Sequence, residues 1–328
     1  MKMHPLPFAG ALILAAGLGV APVHAQQARS FVSGLGNDAN APNCTRTAPC
    51  RTFQAAHDNT LANGEITVLD PGSYGAVTIT KDISIINDGV GEAGLLVSGG
   101  HVGIGVAAPA DAAVTLRGLT IKGIDTGNGI VFAQGAALNV ENCTIRNLSS
   151  SGNVFLGTGI FFTPTSGALQ VTNTMITDNT GIGILLFPSG TADVTVVLDH
   201  VGLYHNGAAG LLAVGDNASG GTVAVTVNES VASNNGALGS GNGVGFGAQS
   251  ASGKALTTLF VNRSVTANNP ANGISVIGGG VLVSVNESAI FNNASGWVGP
   301  ANSIFSYGNN VVQSNGANQG PMPHLFLQ

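Results

Sequence analysis

Seven short runs in the later two-thirds of the chain can be laid over one another. They are VTLRGLTI (114–121), LNVENCTI (138–145), LQVTNTMI (169–176), VVLDHVGL (196–203), VTVNESVA (225–232), TLFVNRSVT (258–266) and LVSVNESAI (282–290). Their anchors, Leu116, Val140, Val171, Leu198, Val227, Val261 and Val285, follow one another at intervals of 24 to 34 residues. Eight positions after the anchor, five successive units carry asparagine: Asn179, Asn206, Asn235, Asn269 and Asn293. A few residues later, Gly precedes a branched aliphatic in Gly129-Ile130, Gly159-Ile160, Gly183-Ile184, Gly210-Leu211, Gly243-Val244 and Gly273-Ile274, and the last unit has Ser303-Ile304 instead.

Runs this short, rich in Val, Ile and Thr and without a helical period, cannot bury their faces alone. Stacked as coils about 4.8 Å apart, they pair in parallel and bring like side chains into interior columns. The repeat therefore predicts an all-β, single-stranded right-handed parallel β-helix of about three strands per coil, with variable spacing absorbed by loops. Asn suits the recurring turn because it tolerates the left-handed conformation and its amide can bond neighbouring coils. A β-sandwich would want Asn-Gly hairpins between runs, and a β-propeller would want blades of about 40 residues or more.

Only 8% of residues are charged while 49 are Gly and 44% are hydrophobic. Interior columns and turns account for that balance, and it excludes a disordered polyelectrolyte. Ten Lys and Arg against 16 Asp and Glu leave no basic face for nucleic acid. No internal apolar run approaches the about 20 residues of a membrane span.

Residues 1–25 read as a secretory signal, with Lys2 and His4 ahead of an apolar stretch from Phe8 to Val20 and a Val23-His24-Ala25 cleavage pattern. A secreted or periplasmic location follows, in which disulfides persist, and Cys44 and Cys50 are close enough to bridge a small loop. Cys143 would stay unpaired in an apolar strand pattern, buried and inert. Residues 26–64 should form a strand, the cysteine loop and a short capping helix over Thr52 to Leu61, with Phe53, Ala56 and Leu61 inward. The β-helix is expected over 65–315, with a tail over 316–328.

The stretch A-P-C-R-T-F-Q-A-A (48–56) followed by G-E-I-T-V-L-D-P-G-S-Y (64–74) resembles the N-terminal entry of the pectate-lyase-like right-handed β-helix superfamily. The resemblance implies the fold across nearly all of the mature chain. It implies little about activity, because that superfamily includes lyases, glycoside hydrolases, epimerases, adhesins and structural members.

Members that cleave polyuronates hold calcium with several Asp or Glu and use Arg or Lys as base, and glycosidases need paired carboxylates. The best match is Lys122, Arg146, Asp178 and His205, which the repeat places on four successive coils. Asp178 has no acidic neighbour in this register, and calcium needs six to eight oxygens. A solvated extension of the Asn ladder is therefore favoured over a catalytic site, no metal site is assigned, and no cofactor is expected apart from calcium were the chain a lyase. A second column, Asn142, Asn173, His200, Glu229, Arg263 and Glu287, suits ion pairs across an exposed strand face. Asp199 with His200 and Glu229 could act as an acid-base group only if a turn or bulge intervenes.

Val131, Phe161, Leu185 and Leu212 should form an outward apolar stripe, the candidate binding surface. A loop, the tail Pro321 to Gln328 or a second subunit in a homo-oligomer could cover it. Function divides into an exported solenoid binding polysaccharide, matrix or protein without catalysis, which is favoured, and a lyase or glycoside hydrolase acting on an acidic polysaccharide.

Overall fold

The computed structural model describes residues 26–153, 155–236, 242–318 and 320–326. The expected signal segment, 1–25, lies outside the described residues.

Three parallel sheets of eleven, ten and nine strands run side by side, and each coil adds one strand to each in turn. The result is a right-handed parallel β-helix. In the first sheet the anchors stand in one register, Leu116 beside Val140, then Val171, Leu198, Val227, Val261 and Val285. The column continues backward through Ile85 and Ile66. All nine side chains are buried, because alternation along each strand turns the anchors and every second neighbour inward. The third sheet repeats this pattern with Ile130, Ile160, Ile184 and Leu211 inside, and the rings of Phe132 and Phe162 stack at 4.8 Å within the core.

From the coil of Val140 to that of Val285, each coil turns twice through one left-handed residue. Between the first and second sheets these are Asn142, Asn173, His200, Glu229, Arg263 and Glu287, with φ between +44° and +55°. After the second sheet they are Asn147, Asp178, His205, Asn234, Asn268 and Asn292, with φ between +50° and +59°. The ladder asparagines are thus not the left-handed residues. Each follows one and points inward, because its amide replaces backbone partners that the turn removes. Asn206 donates from Nδ2 to Asn235 Oδ1 (3.1 Å) and to the Ile176 carbonyl (3.1 Å), while Asn235 Oδ1 also accepts the Asn206 N–H (3.1 Å). The pattern runs from Asn179 through Asn269 and Asn293 to Asn315. It stops before Leu148, whose N–H donates to Asn179 Oδ1 while its side chain joins the core.

Three positions after the anchor runs a second interior column. The N–H groups of Val201, Ser230 and Ser264 donate to the hydroxyls of Ser230, Ser264 and Ser288. Cys143 occupies this column, accepting the Leu119 N–H at Sγ (3.4 Å) while its own N–H donates to Thr174 Oγ1. It is a free, buried cysteine, and burial pushes its thiol up to about 11.

The N-terminal end is closed by the strand Gln27–Val32, the Cys44–Cys50 disulfide and the helix Phe53–Asn59. Thr52 caps the helix by accepting the Ala55 N–H, and Lys81 donates to the His57 and Thr60 carbonyls at its other end. The helix is shorter than the sequence suggests: Thr60 already begins the strand Thr60–Val68, so Leu61 is exposed, and His57 takes the third inward position. At the opposite end, Ser306 donates to the Pro323 carbonyl (2.9 Å) and accepts from the Leu325 N–H (2.8 Å), which lays the tail beside the first sheet's last strand.

Candidate functional site

The outer face of the first sheet carries the side chains between the buried columns. One outward row is Thr226, Phe260, Ser284 and Phe305, in register across four coils. Beside it stand Ala224, Thr258 and Leu282. Together with Leu325 from the tail they line an open groove of about 450 Å³. The Phe260 ring meets Tyr307 edge-on, with centroids 6.4 Å apart. Hydroxyls of Thr226, Thr258 and Ser284 border these apolar surfaces, and among the described residues no charged side chain lines the groove.

Two residues further along each strand, the same face presents an amide ladder. Asn309 Nδ2 donates to Asn286 Oδ1 (2.9 Å), Asn286 to Asn262 (2.7 Å), Asn262 to Asn228 (2.7 Å), and Asn228 to Asp199 Oδ1 (2.6 Å). Each amide keeps a second N–H and a carbonyl lone pair for an outside partner.

The ladder ends on a charged cluster. His200 Nδ1 lies 3.1 Å from Asp199 Oδ2, His200 Nε2 lies 2.7 Å from Glu229 Oε2, and Glu229 Oε1 lies 2.7 Å from the Arg263 guanidinium. The Asn228 amide, followed by His200, holds the Asp199 carboxyl below the usual range despite slight burial. A turn does intervene between Asp199 and His200, and this column belongs to the left-handed corner rather than to an exposed strand face. Asn occupies that corner in the coils of Asn142 and Asn173, whereas His, Glu and Arg are costlier there by about 1 kcal/mol each. Such strain concentrates where side chains serve a site.

The residues expected to carry catalysis are placed differently. Lys122 and Arg146 are in register on the outer face of the second sheet, and Thr177 and Tyr204 continue their row. Asp178 and His205 lie in the following turn, half-exposed, with Asp178 Oδ1 3.9 Å from His205 Nδ1. Asp178 Oδ2 accepts from the Thr177 hydroxyl (3.0 Å). These four do not converge on one point.

These carboxylates do not fit calcium. Asp178, Asp199 and Glu229 spend their oxygens on Thr177, Asn228, His200 and Arg263, and calcium needs six to eight oxygens around one centre. Among the described residues no group of three His, Cys, Asp or Glu is arranged to hold a metal ion.

Val131, Phe161, Leu185 and Leu212 do align on the outer face of the third sheet. Phe161, Leu185 and Leu212, without Val131, join a satellite apolar cluster with Ile182, Ala209, Val214, Phe187 and Val244, in which Leu185 is only 3% exposed. Phe155, from the loop before the strand Ile160–Phe162, packs on Phe161 (5.9 Å) and Phe187 (5.5 Å). The loop contributes cover for the stripe, and the tail lies on the first sheet instead.

Charged columns do not reveal the groove and amide ladder, although their signal stands in the repeats. Phe260 precedes the anchor Val261, while Asn228, Asn262 and Asn286 each follow one.

Coiling, the interior Asn column and the capped N-terminal end define a right-handed parallel β-helix protein. Residues 57–224 and 102–290 match the family model for the right handed beta helix region, and the chain belongs to that family. Among solved structures it is similar to pectate lyase Pel9A, with 17% identity over 90% of this chain and 80% of that one and a TM-score of 0.59. It is also similar to a rhamnogalacturonan lyase, with 13% identity over 80% of this chain and 74% of that one and a TM-score of 0.54. No curated protein sequence matches the chain. Among the described residues no helix is long and apolar enough to cross a membrane.

Proposed function

We propose that this protein is an exported solenoid that binds a polysaccharide along the outer face of its first sheet, without cleaving it. The observation that carries the reading is the junction of the 450 Å³ groove with the Asn228–Asn262–Asn286–Asn309 ladder. A sugar ring presents apolar C–H faces and a hydroxyl rim, which apolar rings and paired amides complement. The coil repeat sets the ladder amides at intervals of about 4.8 Å along the axis, so an extended chain meets the same hydrogen-bonding groups coil after coil. Similarity to solved polysaccharide lyases supports a polysaccharide over a protein or matrix partner. Export is supported by the N-terminal signal pattern and the disulfide.

A second reading, a lyase or glycoside hydrolase acting on an acidic polysaccharide, is favoured by His200 standing between Asp199 and Glu229 beside Arg263. Both readings are tested by immobilising a panel of neutral and acidic polysaccharides, measuring retention of the protein, and assaying the same panel for unsaturated uronide and new reducing ends. Retention without product supports binding alone. Product that disappears with His200→Asn supports the enzyme.

A further inference from the structure

The second sheet carries an arrangement that the groove does not use. Lys122 lies directly beside Arg146 in the parallel ladder, both side chains on the outer face. Like charges set opposite one another destabilise a sheet. Arg29, Arg117 and Arg263 have carboxylate partners, and Arg51 and Lys81 donate to backbone carbonyls. Among the described residues neither Lys122 nor Arg146 has a carboxylate within 4 Å. The Arg146 Nε is also buried with no acceptor, so part of the guanidinium has left water without gaining a partner.

Lys122 lines a depression of about 360 Å³, and Arg146 stands one coil beyond it. Gly72 and Gly94, on neighbouring strands and one residue out of register, contribute bare backbone to it. Leu96, beside Lys122 in the ladder, forms an apolar wall, and Glu92 shares the lining with Lys122.

We infer that Lys122 and Arg146 form an oxyanion-binding site, with the body of the ligand resting in the adjoining depression. The ligand carries a carboxylate or a phosphate. A guanidinium fork binds either in two parallel hydrogen bonds, and the neighbouring ammonium adds a point charge. The anion relieves the repulsion that the bare pair imposes, and Glu92 is placed to accept from hydroxyls on the ligand body. This site is on a different sheet from the proposed polysaccharide groove and does not depend on it.

The test follows the arginine Nε–H resonance of Arg146 in the full-length mature protein at low salt, assigned with Arg146→Lys. Inorganic phosphate, glucuronate and glucose are titrated separately. A saturable shift with phosphate alone identifies a phosphate ligand. A shift with glucuronate alone, or a tighter one than with phosphate, identifies a carboxylate on a sugar-sized body. Either supports the site, and an equal response to both supports recognition by charge alone. Lys122→Gln should weaken binding at least fivefold with the melting temperature equal to wild type or higher, and Phe260→Ala should leave binding unaltered. Absence of any saturable shift, or a shift with glucose equal to that with glucuronate, overturns the inference.

Discussion

The Nε2 of His200 lies 2.7 Å from the Glu229 carboxylate one coil further along, and both residues hold left-handed backbone. The pair is half-exposed, so its ionic contribution is at most about 1 kcal/mol, comparable with the strain that each residue bears in that conformation. Asn relieves the strain while forfeiting the ion pair. His200→Asn and Glu229→Asn are therefore expected to change the unfolding free energy by less than about 1 kcal/mol each. Urea denaturation checks this, and a much larger loss would give the pair a structural role that its exposure does not suggest.

The interior ladder should respond by position. Removing the Asn235 side chain deprives the Asn206 backbone and amide of their acceptor and the Leu203 carbonyl of its donor, all in the core. Asn235→Ala should cost about 2 to 5 kcal/mol, as several buried polar groups lose partners together. Asn179→Leu lies at the ladder's end, beside a coil that already uses Leu148, and should cost less. The order of the two denaturation midpoints decides the matter.

Cys143 stands in a column where Thr174, Ser230, Ser264 and Ser288 supply hydroxyls and Leu119 and Val201 supply none. Cys143→Ser keeps an acceptor for the Leu119 N–H and should shift stability by less than about 1 kcal/mol, whereas Cys143→Val orphans that donor and should cost about 1 to 3 kcal/mol. With its thiol pushed up to about 11 by burial, Cys143 should resist alkylation at pH 8 until the protein is unfolded. Mass spectrometry of the native and denatured protein reads this directly.

His57 makes the N-terminal cap sensitive to acid. Burial chiefly, and Lys81 to a lesser degree, lower its pKa from 6.5 against the opposing pull of Asp58. Its Nε2 accepts the Thr80 N–H (3.2 Å), which requires that nitrogen unprotonated. Above the unfolded value of 6.5 both states are neutral and the cap has its full stability. As the pH falls from there through the lowered folded value, the unfolded chain binds a proton that the cap resists, and stability is lost. Amide exchange over residues 53–59 should therefore accelerate between pH 7.5 and 5 relative to intrinsic rates, and His57→Gln should flatten that dependence.

The spacing of the anchors is legible in the sequence because inward aliphatics must stack, and Leu116 through Val285 do so in the expected register. The first coils are harder to read. Ile66 and Ile85 belong to the same column, but only 19 residues separate them and neither is followed by the recurring Asn. The left-handed column from Asn142 to Glu287 reads as strand face because φ is not visible in residue type once His, Glu and Arg replace Asn. The loop that places Phe155 on the apolar stripe lies in the variable segment, where the repeat constrains nothing. The groove is hidden in the sequence for another reason: its chemistry is uncharged, and Phe260 beside Asn262 reads as ordinary strand filling until the coils are stacked.

The most direct test of polysaccharide binding on the first sheet is affinity electrophoresis of wild type and Phe260→Ala in gels carrying the polysaccharide that best retains the wild-type protein. Phe260 faces outward, so the variant should melt within a few degrees of wild type. Loss of its ring contact should weaken binding about tenfold, equivalent to about 1.4 kcal/mol. Undiminished retardation of a folded Phe260→Ala protein would contradict the account and move the binding surface elsewhere on the solenoid.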